Sequence, residues 1–392
     1  MDRRSSANAS DNPLVIEGAV PTILLIANTS WYLYNFRRST ICALLAKGNR
    51  VVCLAPQDQY DPLLSDLGIE YIPLFMNGMS TNPFYEILSV LDIFRVLRNV
   101  QPDFVFNFTA KLNIYSGLLC KWKGIPFANN VSGLGTAFLH ESVLFRGVRW
   151  LYGKVNRSAE HVFFQNEDDR AAFEKIRPLS SDAVTVLPGS GVDLNQFTYE
   201  ALPDSANLTF LMIARVLGDK GVREYATASA LLRKEYPDVR CLLVGPRGAC
   251  NRSALSEQEI EAWAEADSVV YLGERADVRP EIAECHVLVL PSYREGMPRT
   301  VLEAAAMGRP AIVSDVPGCR QSVLAGRTGW LCAPRDVSSL YCVMRQVVGM
   351  QRDVLAEMGR NARKHMEEKF SEDLVVNAYL ERVRVAVDAD RR

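Results

Sequence analysis

Pro291-Ser292-Tyr293-Arg294-Glu295-Gly296-Met297-Pro298-Arg299-Thr300-Val301-Leu302-Glu303 follows directly on an apolar stretch, His286 to Leu290, and runs on into Ala304 to Met307. It reads as strand, loop and helix. One carboxylate, Glu295, sits in the loop. A second, Glu303, sits a turn inside the helix. In an open α/β sheet, ligands bind at the carboxyl ends of strands, where such loops lie. The stretch therefore implies both a parallel sheet and a ligand site.

Strand-like and helix-like segments alternate around it, as parallel α/β architecture requires. Upstream, the pattern predicts strands at residues 22–27, 50–55, 71–74, 104–108, 127–131 and 161–165, with helices at 34–47 and 84–99. A second set is predicted at 208–214, 240–244, 268–271, 287–290 and 311–314. Helices at 337–350, 354–368 and 372–385 follow. The segment 187–204 is rich in Gly, Pro and turn residues, which marks a connection between domains. The expected organisation is α/β with two Rossmann-like domains facing a central cleft. Residues 1–20 form a disordered leader, 21–190 the first domain, 191–206 a linker and 207–370 the second domain. Residues 371–392 form a helix returning to the first domain.

The chain has 392 residues, 48% hydrophobic and 23% charged, the composition of a folded soluble protein. A formal net charge of -2 gives no case for nucleic acid, which needs a basic surplus. Nine cysteines lie singly with no C-x-x-C pair, the pattern of reduced thiols in a cytosolic protein. His140, His161, His286 and His365 are too dispersed for a metal cluster. No apolar run approaches the roughly 18 residues that span a bilayer, and residues 1–20 lack the apolar core of a signal peptide. The expected location is cytoplasmic, with a membrane surface within reach.

The strand at 208–214 ends in Arg215-Val216-Leu217-Gly218-Asp219-Lys220-Gly221, before a helix. A guanidinium can fork two phosphate oxygens, and an ammonium adds a mobile point charge. Amides at a helix start point the same way. Two solvated charges on a loop are the competing reading. The 291–303 loop supplies the complement. Gly296, Met297, Arg299 and Thr300 can offer backbone N–H groups, whereas Pro298 cannot. Glu295 and Glu303 can accept hydrogen bonds from hydroxyls.

These residues carry a resemblance. Arg215, Lys220-Gly221, Pro291-Ser292, Glu295-Gly296-Met297-Pro298, the pair Glu295/Glu303, Gly308-Arg309-Pro310 and Asp315-Val316-Pro317-Gly318 occur in order, and the chain after residue 20 resembles retaining glycosyltransferases of family 4, with the GT-B fold. The resemblance implies an N-terminal acceptor-binding domain and a C-terminal nucleotide-sugar domain. Arg215 and Lys220 would neutralise a diphosphate leaving group. Glu295 would hold the donor sugar at the reacting carbon, and Glu303 would bind the ribose. Arg275 joins the donor-binding set. No metal cofactor is expected. The sole D-x-D, Asp388-Ala389-Asp390, lies in the terminal tail.

On the acceptor side, Ala27-Asn28-Thr29-Ser30-Trp31 follows the first strand, where Asn28 and Ser30 can present polar groups to an anion or simply make a turn. Lys111 and Asn113 follow the strand at 104–108, and Ser132 and Gly133 the strand at 127–131. Ser132 stands where many family members have histidine, and His140 is a substitute candidate. Residues 141–157 carry Leu144, Phe145 and Trp150 among Arg146, Arg149, Lys154 and Arg157, with no acid after Glu141. Such a basic, aromatic helix suits an anionic membrane surface, or else packs on the sheet with its charges outward. The wording of the loops after several strands resembles bacterial enzymes that extend polyprenyl-diphosphate-linked sugars, including N-acetylgalactosaminyltransferases. The partners so implied are a UDP-sugar, a polyprenyl-diphosphate-linked saccharide and the inner face of the cell membrane.

Overall fold

The computed structural model describes residues 20–76, 83–133, 143–205, 207–248, 254–265 and 268–390. All but one residue of the expected disordered leader, and His140, lie outside them. The first half runs β1 (Thr22–Ile26), α1 (Ser30–Ala46), β2 (Arg50–Ala55), α2 (Asp61–Ser65), β3 (Glu70–Pro73), α3 (Pro83–Val100), β4 (Phe104–Phe108) and α4 (Ala110–Lys123). It continues with β5 (Phe127–Val131), α5 (Val143–Asn156), β6 (His161–Phe164), α6 (Glu167–Glu174) and β7 (Val184–Val186).

The second half runs β8 (Thr209–Ile213), α7 (Val222–Glu235), β9 (Arg240–Val244), α8 (Glu257–Glu265), β10 (Val270–Tyr271), α9 (Arg279–Glu284), β11 (Val287–Leu290) and α10 (Arg299–Ala306). Then come β12 (Ala311–Ser314), β13 (Gly329–Cys332), α11 (Val337–Val348), α12 (Arg352–Lys369) and α13 (Glu372–Asp390).

Two wholly parallel sheets result, ordered β3-β2-β1-β4-β5-β6-β7 and β10-β9-β8-β11-β12-β13. Central strands such as β1 (TILLI) and β11 (VLVL) are almost wholly apolar because helices cover both faces. In β1, Ile23 and Leu25 face a core shared with α1 and α13. Leu24 and Ile26 face the opposite core, under α3 and α4. The strand order reverses between β1 and β4, and again between β8 and β11. Connections leave these neighbours in opposite directions, so a crevice opens at their carboxyl ends.

The chain passes between sheets after β7. It crosses back beside Val192, whose N–H donates to the Phe370 carbonyl at 2.9 Å and whose carbonyl accepts from the Glu372 N–H at 3.1 Å. Helix α13 then packs on the first sheet. Its Tyr379 is fully buried against Phe106 and Phe163, with ring centroids 4.9 and 4.6 Å away. Arg37 of α1 is also buried there, its guanidinium 4.8 Å from the Phe108 ring centre and 5.3 Å from that of Tyr379.

Candidate active site

The two crevices face each other. Loops after β8 and β11 supply Arg215, Lys220 and Glu295 to Thr300. The first domain supplies Tyr32, Phe36, Ser132 and Gln165. Together they enclose a cavity of about 300 Å³. Lys220 Nζ lies 2.5 Å from Glu295 Oε1, with both side chains largely shielded from water. Arg215 lines the same cavity and pairs with no acid among the described residues. An anion entering here meets one open guanidinium and one ammonium held ready by a carboxylate.

Local sequence explains how the two loops stay together. Gly221 ends the turn after Lys220 at φ +75°, and a side chain there would overlap the Pro291 carbonyl. Only glycine meets both demands. The Asp219 carbonyl then accepts the Tyr293 N–H at 2.9 Å. Tyr293 donates its hydroxyl to Glu224 of α7 at 2.6 Å. Helix α10 starts at Arg299, after Pro298, and its first two residues line the cavity.

The profile for Glycosyl transferases group 1 matches residues 207–349, and that for Glycosyl transferase 4-like matches residues 22–166. A Campylobacter jejuni protein, N,N'-diacetylbacillosaminyl-diphospho-undecaprenol alpha-1,3-N-acetylgalactosaminyltransferase, is 30% identical over 79% of this chain and 84% of its own. The chain belongs to this glycosyltransferase family. An Escherichia coli relative, UDP-Gal:alpha-D-GlcNAc-diphosphoundecaprenol alpha-1,3-galactosyltransferase, is 24% identical over 77% of this chain and 79% of its own. Among solved structures, sucrose-phosphate synthase from Thermosynechococcus elongatus superposes with TM-score 0.79 at 18% identity, covering 94% of this chain and 100% of that one. Anabaena HepE in complex with UDP gives 0.75 at 17% identity, covering 93% and 100%. These two show the GT-B fold.

In this glycosyltransferase the donor-side residues Arg215, Lys220, Glu295, Gly296, Met297, Arg299 and Thr300 all line one cavity. Glu303 does not line it. Glu303 is buried and accepts a hydrogen bond from Arg299 Nε at 2.7 Å. Burial raises its carboxyl pKa, and the Arg299 charge opposes that rise. Arg299 also donates to the Asn35 carbonyl of α1 and stacks 5.1 Å from the Phe36 ring centre. Arg275, expected among the donor ligands, is exposed, ion-paired with Glu281 at 2.7 Å, and does not line the cavity.

Among the described acceptor-side candidates, Ser132 alone lines the cavity. Asn28 is half-buried at the end of β1. Ser30 is fully buried and donates to the Asp58 carboxylate, which also accepts the Trp31 N–H at 3.0 Å. A helix start attracts an anion, and here the chain supplies its own. Lys111 is ion-paired with Glu86 of α3 at 2.7 Å. Asn113 is buried, donating to the Asn130 carbonyl and to the Tyr152 hydroxyl, both at 2.9 Å, so it braces the sheet and does not line the cavity. Ser132 lines the cavity, and Gly133 follows at φ +146°. Arg146 and Trp150 are exposed on α5, and Arg149 is half-buried. Leu144 and Phe145 fall in its first turn, with side chains outside the described residues.

Sequence reasoning missed Tyr32, Phe36 and Gln165 as cavity residues, and Asn166, Asp169 and Arg294 as their neighbours. The run Asn166-Glu167-Asp168-Asp169 does announce a capped helix start. Its contact with a loop over 120 residues away has no local signature.

Proposed function

We propose that this glycosyltransferase moves a sugar, best an N-acetylhexosamine such as GalNAc, from a UDP-sugar to a polyprenyl-diphosphate-linked saccharide with retention of anomeric configuration. The observation that carries the reading is the Lys220–Glu295 pair beside Arg215 in one interdomain cavity. The donor diphosphate takes Lys220 and Arg215 as counter-charges. Glu295, released from Lys220, accepts hydroxyls of the donor sugar. As the bond from the anomeric carbon to the diphosphate oxygen breaks, negative charge grows where the two cations already stand, and such preorganised charge lowers the barrier. The acceptor hydroxyl attacks from the same face and passes its proton to a leaving phosphate oxygen. In this reading Lys220 and Arg215 are the counter-charges and no metal is required, so chelation is expected to leave the rate unchanged.

The acceptor class is supported by the names of the two relatives, both of which concern undecaprenyl-diphosphate sugars. The outer surface of α3, α4 and α5 supports a membrane-borne acceptor as well. These helices pack side by side on one face of the first sheet. Their outer sides expose Phe84, Ile87, Leu91, Trp122 and Trp150. Residues 83–157 hold nine basic and four acidic residues in a chain of net charge -2. Apolar side chains ringed by cations suit an anionic cytoplasmic leaflet. The deciding experiment is a screen of UDP-sugars against polyprenyl-diphosphate sugars and soluble sugars, with the linkage read by NMR. Transfer only to soluble acceptors would overturn the lipid reading, and hydrolysis or epimerisation without transfer would overturn the whole.

A further inference from the structure

We infer that the start of helix α6, through Asn166 and Asp169, is a positioning element for Glu295, so that the donor-sugar carboxylate is correctly placed only when the two domains are closed on each other. The observations lie on both sides of Glu295. Its neighbour Gly296 offers its carbonyl to Asn166 Nδ2 at 2.7 Å. Its other neighbour, Arg294, forms an ion pair with Asp169. Asn166 and Asp169 belong to the first domain, and residues 294–296 to the second. One helix start therefore grips both residues that flank Glu295, one by its side chain and one by its carbonyl.

The first-domain half of the grip is buried and braced within itself. Asn166 caps α6 by accepting the Asp169 N–H at 2.7 Å, and its Nδ2 also meets Asp169 Oδ2 at 3.1 Å. Asn166 is 2% and Asp169 0% exposed. Gly296 is pressed against the first domain. A side chain there would overlap the Ser132 carbonyl and lie 2.7 Å from Gln165 Oε1. Farther along, Gln321 Nε2 donates to Asp168 Oδ2 at 2.8 Å, tying the same helix start to the second domain again. Hydrogen bonds to charged groups are among the stronger ones, and two contacts from one turn, to Arg294 and to Gly296, define the orientation of the loop. When the domains part to admit a donor, Asn166 and Asp169 leave together, and the Glu295 loop loses its fixed frame. Closure restores it. Asn166 touches no substrate in this scheme, so it is a positioning residue.

The inference rests on the assignment of Glu295 to the donor sugar, and its test separates the two. Asn166→Asp and Asn166→Ser both keep an oxygen able to cap α6, but the carboxylate has no proton to donate to the Gly296 carbonyl and the serine hydroxyl, one bond shorter than Asn166 Nδ2, falls short of it. Hydrogen exchange on the ligand-free protein should show peptides spanning 292–298 exchanging at least about ten-fold faster in both variants, with α6 unchanged. Unchanged exchange in 292–298 in either folded variant would overturn the inference, whatever the substrate proves to be. With the working UDP-sugar and acceptor, kcat should fall by about ten-fold or more, while the affinity for UDP alone stays within about two-fold. A kcat within two-fold of the parent, or a loss of UDP affinity equal to the loss of kcat, would overturn it as well.

Discussion

Lys220 Nζ and Glu295 Oε1 are 2.5 Å apart, on loops from the two strands at which the second sheet reverses its order. The pair is an internal substitute for a ligand, in which the ammonium that would meet a diphosphate is held by the carboxylate that would meet a sugar. Removing either partner leaves the other shielded and uncompensated. Lys220→Ala should lower kcat by roughly 10²–10³-fold, the usual scale for a lost group that stabilises transition-state charge. Glu295→Gln should lower it comparably, with UDP affinity nearly kept. Steady-state kinetics together with calorimetric UDP binding checks both, and near-normal turnover in the two variants would refute the assignment.

Gly221→Ala tests the joint between those loops. The new methyl meets the Pro291 carbonyl, and φ of +75° is strained for alanine. A loss of about 2 kcal/mol or more is expected in urea unfolding, with weakened UDP binding, because the loop of Lys220 is pushed away from that of Glu295.

Tyr379→Ala addresses the return of the chain to its first domain. The ring is buried among Phe106, Phe163 and the Arg37 guanidinium. Emptying that space should cost about 3–5 kcal/mol, the range for a large buried aromatic. It should also loosen α13 selectively, seen as faster hydrogen exchange from 372 to 390 than in the second sheet.

Much of this was legible in the sequence because parallel sheets announce themselves. The strand at 287–290 is an unbroken apolar run, those at 104–108 and 127–131 are apolar but for Asn107, Asn129 and Asn130, and the structure keeps the limits of all three unchanged. Two strands were missed. β7 is three residues long, too short for a periodic signal, and β13 opens on Gly329 directly after the turn at Gly326, so it does not read as an apolar run. Helix α1 begins at Ser30, four residues before the expected start, because Thr29 caps it by accepting the Tyr32 N–H. On the donor side, residue type and position after a strand sufficed to bring Arg215, Lys220 and Glu295 together. On the acceptor side they did not. Lys111 and Ser30 had acids within reach, Glu86 and Asp58, contributed by elements distant in sequence. Whether a polar loop residue faces a ligand or a neighbour depends on such long-range pairing, which spacing cannot reveal.

Two buried histidines set the acid limit. Burial holds both His161 and His286 down to about 4, and His286 Nδ1 accepts the Thr209 N–H at 3.1 Å. The folded values lie below the unfolded value of about 6.5. The stability they contribute is therefore complete above pH 6.5 and is lost as pH falls toward 4, by up to about 3 kcal/mol for each. Urea midpoints across this window should fall steeply. His286→Asn, which does not titrate but can still accept the Thr209 N–H, should flatten the fall by about half, and an unchanged slope would exclude His286 as its source.

The outer face of α3 provides a last test. Phe84, Ile87 and Leu91 recur at helical spacing along one stripe, and Phe75 joins them, its N–H held by Asp92 at 2.9 Å. On α5, Trp150 is exposed with Lys154 Nζ 5.1 Å from its ring centre. If the two helices share one membrane contact, Ile87→Ser with Leu91→Ser should reduce sedimentation with phosphatidylglycerol vesicles several-fold, and Trp150→Ser should add to the loss. Binding should weaken as salt rises, since surface cations are screened within about 8 Å at physiological ionic strength. Transfer to a soluble acceptor analogue should remain intact, because neither helix contributes to the cleft cavity. Vesicle binding unchanged by all three substitutions would move the membrane contact elsewhere on the first domain.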